Sequence, residues 1–147
     1  MKETLAPYCD RIETAGSIRR RKSIVNDIDL VIIEKPDAAL QLTALFFSLG
    51  VVKINGPDIK RVYLPNDNIT IDIYIATPAT WATLLLIRTG SRENNIRLCS
   101  LARRKGWYLK ASGDGLFDGA GNRIAGDTEQ SIYEALGLPY QQPHERG

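Results

Sequence analysis

The sequence predicts an α+β fold, a helix-covered sheet followed by a small basic lobe. Two runs, 27–33 and 69–75, alternate apolar and polar residues with the period of a half-buried strand. Ala- and Leu-rich stretches over 36–49 and 77–88 have the length and composition of helices packed on such strands. Beyond residue 89 the composition changes to a basic helix-like segment and then to short Gly-punctuated strands.

In chain order, residues 3–10 read as a short helix, and 11–15 as a brief strand that runs into Gly16-Ser17. In the strand at 27–33, Ile28, Leu30 and Ile32 point one way while Asp27, Asp29, Val31 and Ile33 point the other. Pro36 is expected to open the helix over 36–49, and Gly50 to end it. Strands at 51–54 and 59–64 flank the turn Asn55-Gly56-Pro57. The run 69–75 places isoleucines on one face and Thr70, Asp72 and Tyr74 on the other. Thr77-Pro78 is expected to start a helix to Arg88, which Thr89-Gly90-Ser91 breaks. A helix over 92–105, strands at 107–110 and 115–117, and a helix at 129–136 capped by Asp127-Thr128 complete the reading. Trp81, Phe46 and Phe47 are expected in the core, and of Trp107 and Tyr108 one faces inward.

The chain of 147 residues, 44% hydrophobic and 24% charged, is long enough to bury a core without disulfides or structural metal. Cys9 and Cys99 form no CxxC pair, which suits free thiols in a reducing compartment. One histidine, His144, near the end and among prolines, leaves histidine-based zinc chemistry without ligands. No stretch reaches the length of a membrane span and the first residues carry acids, so a soluble, cytoplasmic protein without a membrane partner is expected. Net charge is only +2, yet residues 88–110 hold seven basic side chains against one acid, and Arg19-Arg20-Arg21-Lys22 forms a second knot. Basic patches on a nearly neutral chain suit a polyanion touched at defined places.

Asp27 and Asp29, two apart on a strand, emerge on one face a few ångströms from each other. Carboxylates that close repel when ionised unless a cation bridges them. If the strand bearing Asp72 is a neighbour, three acids converge, an oxygen-rich set suited to magnesium. Two such ions about 4 Å apart can activate an attacking hydroxyl and stabilise a leaving oxygen. Gly16-Ser17 before a basic segment lets the backbone approach a phosphate and adds a hydroxyl, and Arg20 can grip phosphate oxygens with two hydrogen bonds.

Ala15-Gly16-Ser17-Ile18-Arg19-Arg20 followed by Asp27-Ile28-Asp29 resembles the signature of the family-X DNA polymerases, a branch of the nucleotidyltransferase superfamily. The resemblance continues through Ile71-Asp72-Ile73, Thr89-Gly90-Ser91 with Asn95, Leu116-Phe117-Asp118, Ile132-Tyr133 and Leu138-Pro139-Tyr140. It implies a nucleotidyltransferase-type palm at 1–88, with helices packed on a mixed or antiparallel sheet, and a small α/β thumb at 89–147. It implies Asp27, Asp29 and Asp72 as ligands of two magnesium ions, with manganese as a substitute, and Asp72 as the base toward a primer 3′-hydroxyl. Gly16, Ser17, Arg20 and Asn26 would hold the triphosphate, and Gly90, Ser91 and Asn95 the sugar and base. Arg92, Arg97, Arg103, Arg104 and Lys105 would follow the nucleic-acid backbone. The chain departs from the family pattern at Asn26, usually a glycine, at Ile87 and Arg88, usually an aromatic pair, and at Cys99, usually an arginine.

The activity implied is DNA-directed nucleotidyl transfer at a gap or break in repair, by a monomer acting on primer/template DNA and a dNTP. The alternative is a template-independent nucleotidyltransferase, or one with an RNA, protein or small-molecule acceptor, on the same fold.

Overall fold

Period-two alternation gives the first half its strands, and apolar helix faces cover them. The computed structural model describes residues 1–147. The chain starts with α1 (Lys2–Leu5) and a 3-10 turn at Ala6–Tyr8, then β1 (Cys9–Thr14), the single-turn α2 (Gly16–Arg19) and β2 (Asp27–Glu34). Next come α3 (Ala39–Leu49), β3 (Val51–Asn55), β4 (Ile59–Leu64) and β5 (Ile69–Ile75). α4 (Trp81–Thr89) and α5 (Arg92–Arg104) lead to β6 (Tyr108–Lys110), β7 (Gly115–Phe117), β8 (Arg123–Ala125) and α6 (Glu129–Ala135).

The first sheet is mixed, in the order β1-β2-β5-β4-β3. β2 and β5 run parallel, which requires the crossover through α3, β3 and β4; every other pairing is antiparallel. On one face Leu30, Ile32, Ile71 and Ile73 pack under Leu42 and Phe46 of α3. On the other, Val31 and Tyr74 pack under Trp81, Leu84 and Leu85 of α4. The central strand is thus buried on both faces.

The second sheet, β6-β7-β8, is antiparallel and shares a core with α5 and α6 built on Leu98, Leu109, Leu116 and Ile132. Leu86 of α4 joins this second core while Leu84 and Leu85 belong to the first, so one helix serves both. No helix is long and apolar enough to cross a membrane.

Several elements differ from expectation for local reasons. The first helix stops at Leu5, and Cys9 and Asp10 are already extended in β1. Pro36 does not open α3: Asp37 takes φ +66°, a turn closes by the Ala38 N–H donating to Lys35 O, and the helix begins at Ala39. Thr77 does not cap α4. Instead its N–H donates to Thr80 Oγ1 at 2.9 Å in a preceding turn, and Trp81 begins the helix. The strand expected from Trp107 begins at Tyr108. β8 is an addition to the sequence reading, because three residues without alternation carry no periodic signal. Phe47 is 60% exposed, on the outer side of α3, rather than in the core.

Candidate active site

Val31 and Tyr74 pack under α4, and by strand alternation the acids Asp27, Asp29 and Asp72 lie on that same face. The strand register makes Asp29 of β2 the direct partner of Asp72 of β5, with Asp27 opposite Thr70. Burial, and then the nearby Asp72 and Asp27, push the Asp29 carboxyl up to about 6, against the opposing pull of Arg88 and Arg20. Asp72 is nearly buried and is held by Arg61 of β4, its register partner on the other side. Arg61 Nε donates to Asp72 Oδ1 at 2.7 Å, and Nη2 donates to Oδ2 at 3.2 Å. Asp29, Asp72 and Arg61 therefore form one row across three adjacent strands.

The three aspartates expected to share cations are not drawn into a closed ligand set; no group of three or more His, Cys, Asp or Glu side chains is positioned to hold a metal ion. In the row a guanidinium takes up both oxygens of Asp72. The donor set nevertheless fits magnesium in kind: only oxygens, two acids in direct register, and one of them destabilised by its neighbours' charge in a way a cation would relieve.

A tight turn brings the Gly16-Ser17 segment onto this row. Gly16 has φ +57°, and a Cβ there would lie 2.2 Å from Asp29 Oδ2, so only glycine permits the approach. The Ala15 N–H donates to Asp29 O at 2.8 Å and fixes the turn to β2. Ser17 is partly exposed on α2, and Asn26 and Asp27 are open to solvent, fully or in part, at the mouth of β2.

Arg20 Nη1 donates to Thr89 O at 2.6 Å and Nε to Gly147 O at 3.3 Å, which ties it to the break between α4 and α5. At that break Gly90 takes φ +72°, and its peptide bond to Ser91 is cis. Ser91 is buried and committed to structure rather than offered to a ligand: its Oγ accepts from the Asn94 N–H at 3.2 Å and donates to Arg146 O at 2.6 Å. Asn95 Nδ2 donates to Ile87 O at 2.8 Å, while its Oδ1 is buried without a partner. Asn95 lines a shallow cavity of about 290 Å³ on α5 with Arg92, Ile96, Cys99, Ser100 and Arg103.

Arg92, Arg97, Arg103, Arg104 and Lys105 are all exposed along α5 and its end. Arg97 is not free, however; it donates to Asn94 Oδ1 at 3.0 Å and to Gln141 Oε1.

Three further pairings are invisible to sequence reading. Arg61 can be found only by knowing the β4–β5 register. Arg88 stacks 4.2 Å over the Tyr74 ring, beside Asp29, a pairing that depends on α4 crossing β5. Glu129 of α6 is gripped by Arg19 of α2 at 2.7 and 2.8 Å and by Arg146 at 3.2 Å. Burial alone would raise the Glu129 carboxyl, but the two guanidiniums hold it below its ordinary value.

Comparison with known proteins places the second half first. Residues 84–147 match the DNA polymerase beta thumb. DNA polymerase lambda of Rattus norvegicus is 33% identical over 85 residues, covering 52% of this chain and 15% of that protein. A DNA polymerase/3′-5′ exonuclease PolX of Bacillus subtilis is 25% identical over 138 residues, 92% of this chain and 24% of its own length. Over these stretches the chain is similar to DNA polymerases of family X. It spans less than a quarter of the length of these two relatives. The DNA polymerase beta thumb match begins inside α4, the helix that both cores share.

Proposed function

We propose that this chain transfers a nucleotide from a dNTP to a DNA 3′-hydroxyl at a gap or break, acting as a monomer with a palm at 1–88 and a thumb at 89–147. One observation carries the reading: Asp29 and Asp72 stand in direct register on neighbouring strands, with the Gly16 turn seated against Asp29. Asp27, Asp29 and Asp72 would hold two magnesium ions, which supply charge neutralisation at the transferring phosphoryl group.

The protein's own part is positioning. The Ser17 hydroxyl and the backbone of the Gly16 turn offer donors to phosphate oxygens beside the acids. Arg20, anchored to Thr89 O, sets a guanidinium at the junction of palm and thumb for the same oxygens. Asn95 offers a buried acceptor, Oδ1, toward the α5 side, where a base or sugar edge would satisfy it. The exposed cations Arg92, Arg103, Arg104 and Lys105 line a path for a phosphate backbone. Asp72, in register with Asp29, is the base candidate for the acceptor hydroxyl.

A second reading keeps the chemistry and changes the acceptor to RNA, a single strand or a non-nucleic molecule. The Arg88–Tyr74 stack favours it, because a cation stands at the approach to the acids where the family pattern has an aromatic pair. Primer extension across a one-nucleotide gap, with dNTPs and rNTPs separately and with and without magnesium, tests both. Magnesium-dependent dNMP addition that is lost in Asp29→Ala and Asp72→Ala is expected. Extension of RNA or single strands in preference to the gap would select the second reading. No transfer to any acceptor by folded protein would refute both.

A further inference from the structure

We propose that Arg61 is a latch on the acidic cluster, a positioning residue that competes with a divalent cation for Asp72 and so sets how tightly the cluster takes metal. The inference rests on the metal-dependent reading above and adds to it the device that governs loading.

The geometry is specific. Arg61 and Asp72 are register partners on adjacent strands, so the pair is built by the sheet and not by a mobile loop. Both carboxylate oxygens of Asp72 accept from the one guanidinium, a fork-to-fork contact that fixes the carboxylate plane as well as its charge. Asp72 is also the register partner of Asp29, so the carboxylate that Arg61 occupies is one that would hold a cation in the reading above.

Exposure makes the contact reversible from one side only. The Asp72 side chain is 12% exposed and fixed on β5, whereas the Arg61 side chain is 42% exposed on β4. Arg61 can therefore swing its head into water with little desolvation to recover, while Asp72 stays aimed at Asp29. A cation arriving at the row meets a preformed carboxylate whose neutralising partner is replaceable. Removing the guanidinium also removes a positive charge from beside the incoming ion, so both effects favour tighter metal binding.

Lys60, the adjacent basic residue on β4, provides the contrast. Its Nζ is 2.7 Å from Asn55 Oδ1, and its register partner is Ile73, so it belongs to the opposite face of the sheet.

The test measures manganese binding directly, by the paramagnetic signal of free Mn2+ in a titration without nucleotide or DNA. Wild type, Arg61→Ala, Arg61→Gln, Arg61→Lys and Lys60→Ala are compared. The latch predicts that Arg61→Ala binds Mn2+ about fivefold tighter than wild type, the worth of an ion pair with one exposed partner. Arg61→Lys, which keeps a point charge but loses the fork, falls between them, and Lys60→Ala matches wild type.

Melting gives a second readout that a purely structural role would not move. Mn2+ should raise the melting temperature more in Arg61→Ala than in wild type, because the added stabilisation grows with affinity. If Arg61→Ala does not fold, the same order is read on Arg61→Gln and Arg61→Lys. Wild-type binding that Asp29→Ala abolishes, with equal or weaker Mn2+ binding in the Arg61 variants, would overturn the latch and leave the metal-dependent reading standing. No Mn2+ binding and no nucleotide transfer by any folded variant would overturn that reading, and the latch with it.

Discussion

Replacing Glu129 by alanine should destabilise this protein strongly, because three largely buried charges form one unit. Arg146 has a fully buried side chain, Glu129 is 10% exposed and Arg19 18% exposed. Glu129 accepts from both nitrogens of the Arg19 fork and from Arg146, so its removal strands two guanidiniums in low-dielectric surroundings. Partial relief remains: Arg19 still donates to Thr89 Oγ1 at 2.8 Å, and Arg146 to Gln141 O at 3.0 Å and Tyr140 Oη at 3.2 Å. Breaking a buried ion pair from one side costs about 3–5 kcal/mol. At roughly 3 °C per kcal/mol for a chain of this size, the melting temperature should fall by about 10 °C.

Urea unfolding of Glu129→Ala against wild type, followed by circular dichroism, measures the cost. The pH dependence supplies the sign. Because the folded Glu129 carboxyl lies below its unfolded value, its stabilisation is complete above the ordinary glutamate range, about 4.3, and is lost as pH falls through the lower folded value. Wild type should therefore lose stability on acidification below pH ~4.3 more steeply than Glu129→Ala. A destabilisation under about 1 kcal/mol at neutral pH, with parallel acid profiles, would refute the clamp. Because α2 belongs to the first sheet and α6 to the second core, the same variant should also loosen one part against the other, read as faster proteolysis near residue 90.

Gly16→Ala forces a Cβ to within 2.2 Å of Asp29 Oδ2 at φ +57°, so Asp29 must move. The backbone strain alone costs about 1–2 kcal/mol, and nucleotide transfer should fall far more than the melting temperature. Reversing Arg103 and Arg104 to glutamate should weaken gapped-duplex binding, with unchanged melting. The salt slope of that binding should fall by about one for each phosphate no longer held. The Cys9 thiol, pushed up to about 11 first by burial and then by Glu34, should resist alkylation at pH 8 until the chain unfolds, whereas exposure on unfolding restores ordinary reactivity.

The parts of this fold legible in the sequence are those fixed by short-range pattern. β2 and β5 carry their alternation within one strand, and Gly16 and Gly90 announce backbone positions that side chains cannot take. The helix starts at 36 and 77 mislead because proline suits both a first helical turn and a β-turn, and the choice is made by Asp37 and by the Thr77–Thr80 contacts. What cannot be read is whatever depends on which strand lies beside which. Sequence places Asp72 near Asp29 only on the condition that their strands are neighbours, and nothing local to β4 shows that Arg61 lies on the far side of Asp72. The Arg19–Glu129 contact joins residues 110 apart, beyond any periodic signal.

That division explains why the site is polarised as it is. A sheet face can carry acids only if their charge is met, and this chain meets it from outside the β2–β5 pair: Arg61 from β4, Arg88 from α4, Arg20 from the end of α2. Each of these cations is also anchored elsewhere or exposed, Arg88 on Tyr74 and Arg20 on Thr89 O, so each can be displaced without unfolding the sheet. Were they rigid structural ion pairs, removing any one would cost stability whether or not cation was present. Charges that substitute for metal predict instead that the cost of removing Arg61 shrinks as Mn2+ is added, since a cation held at Asp72 would supply the neutralising charge.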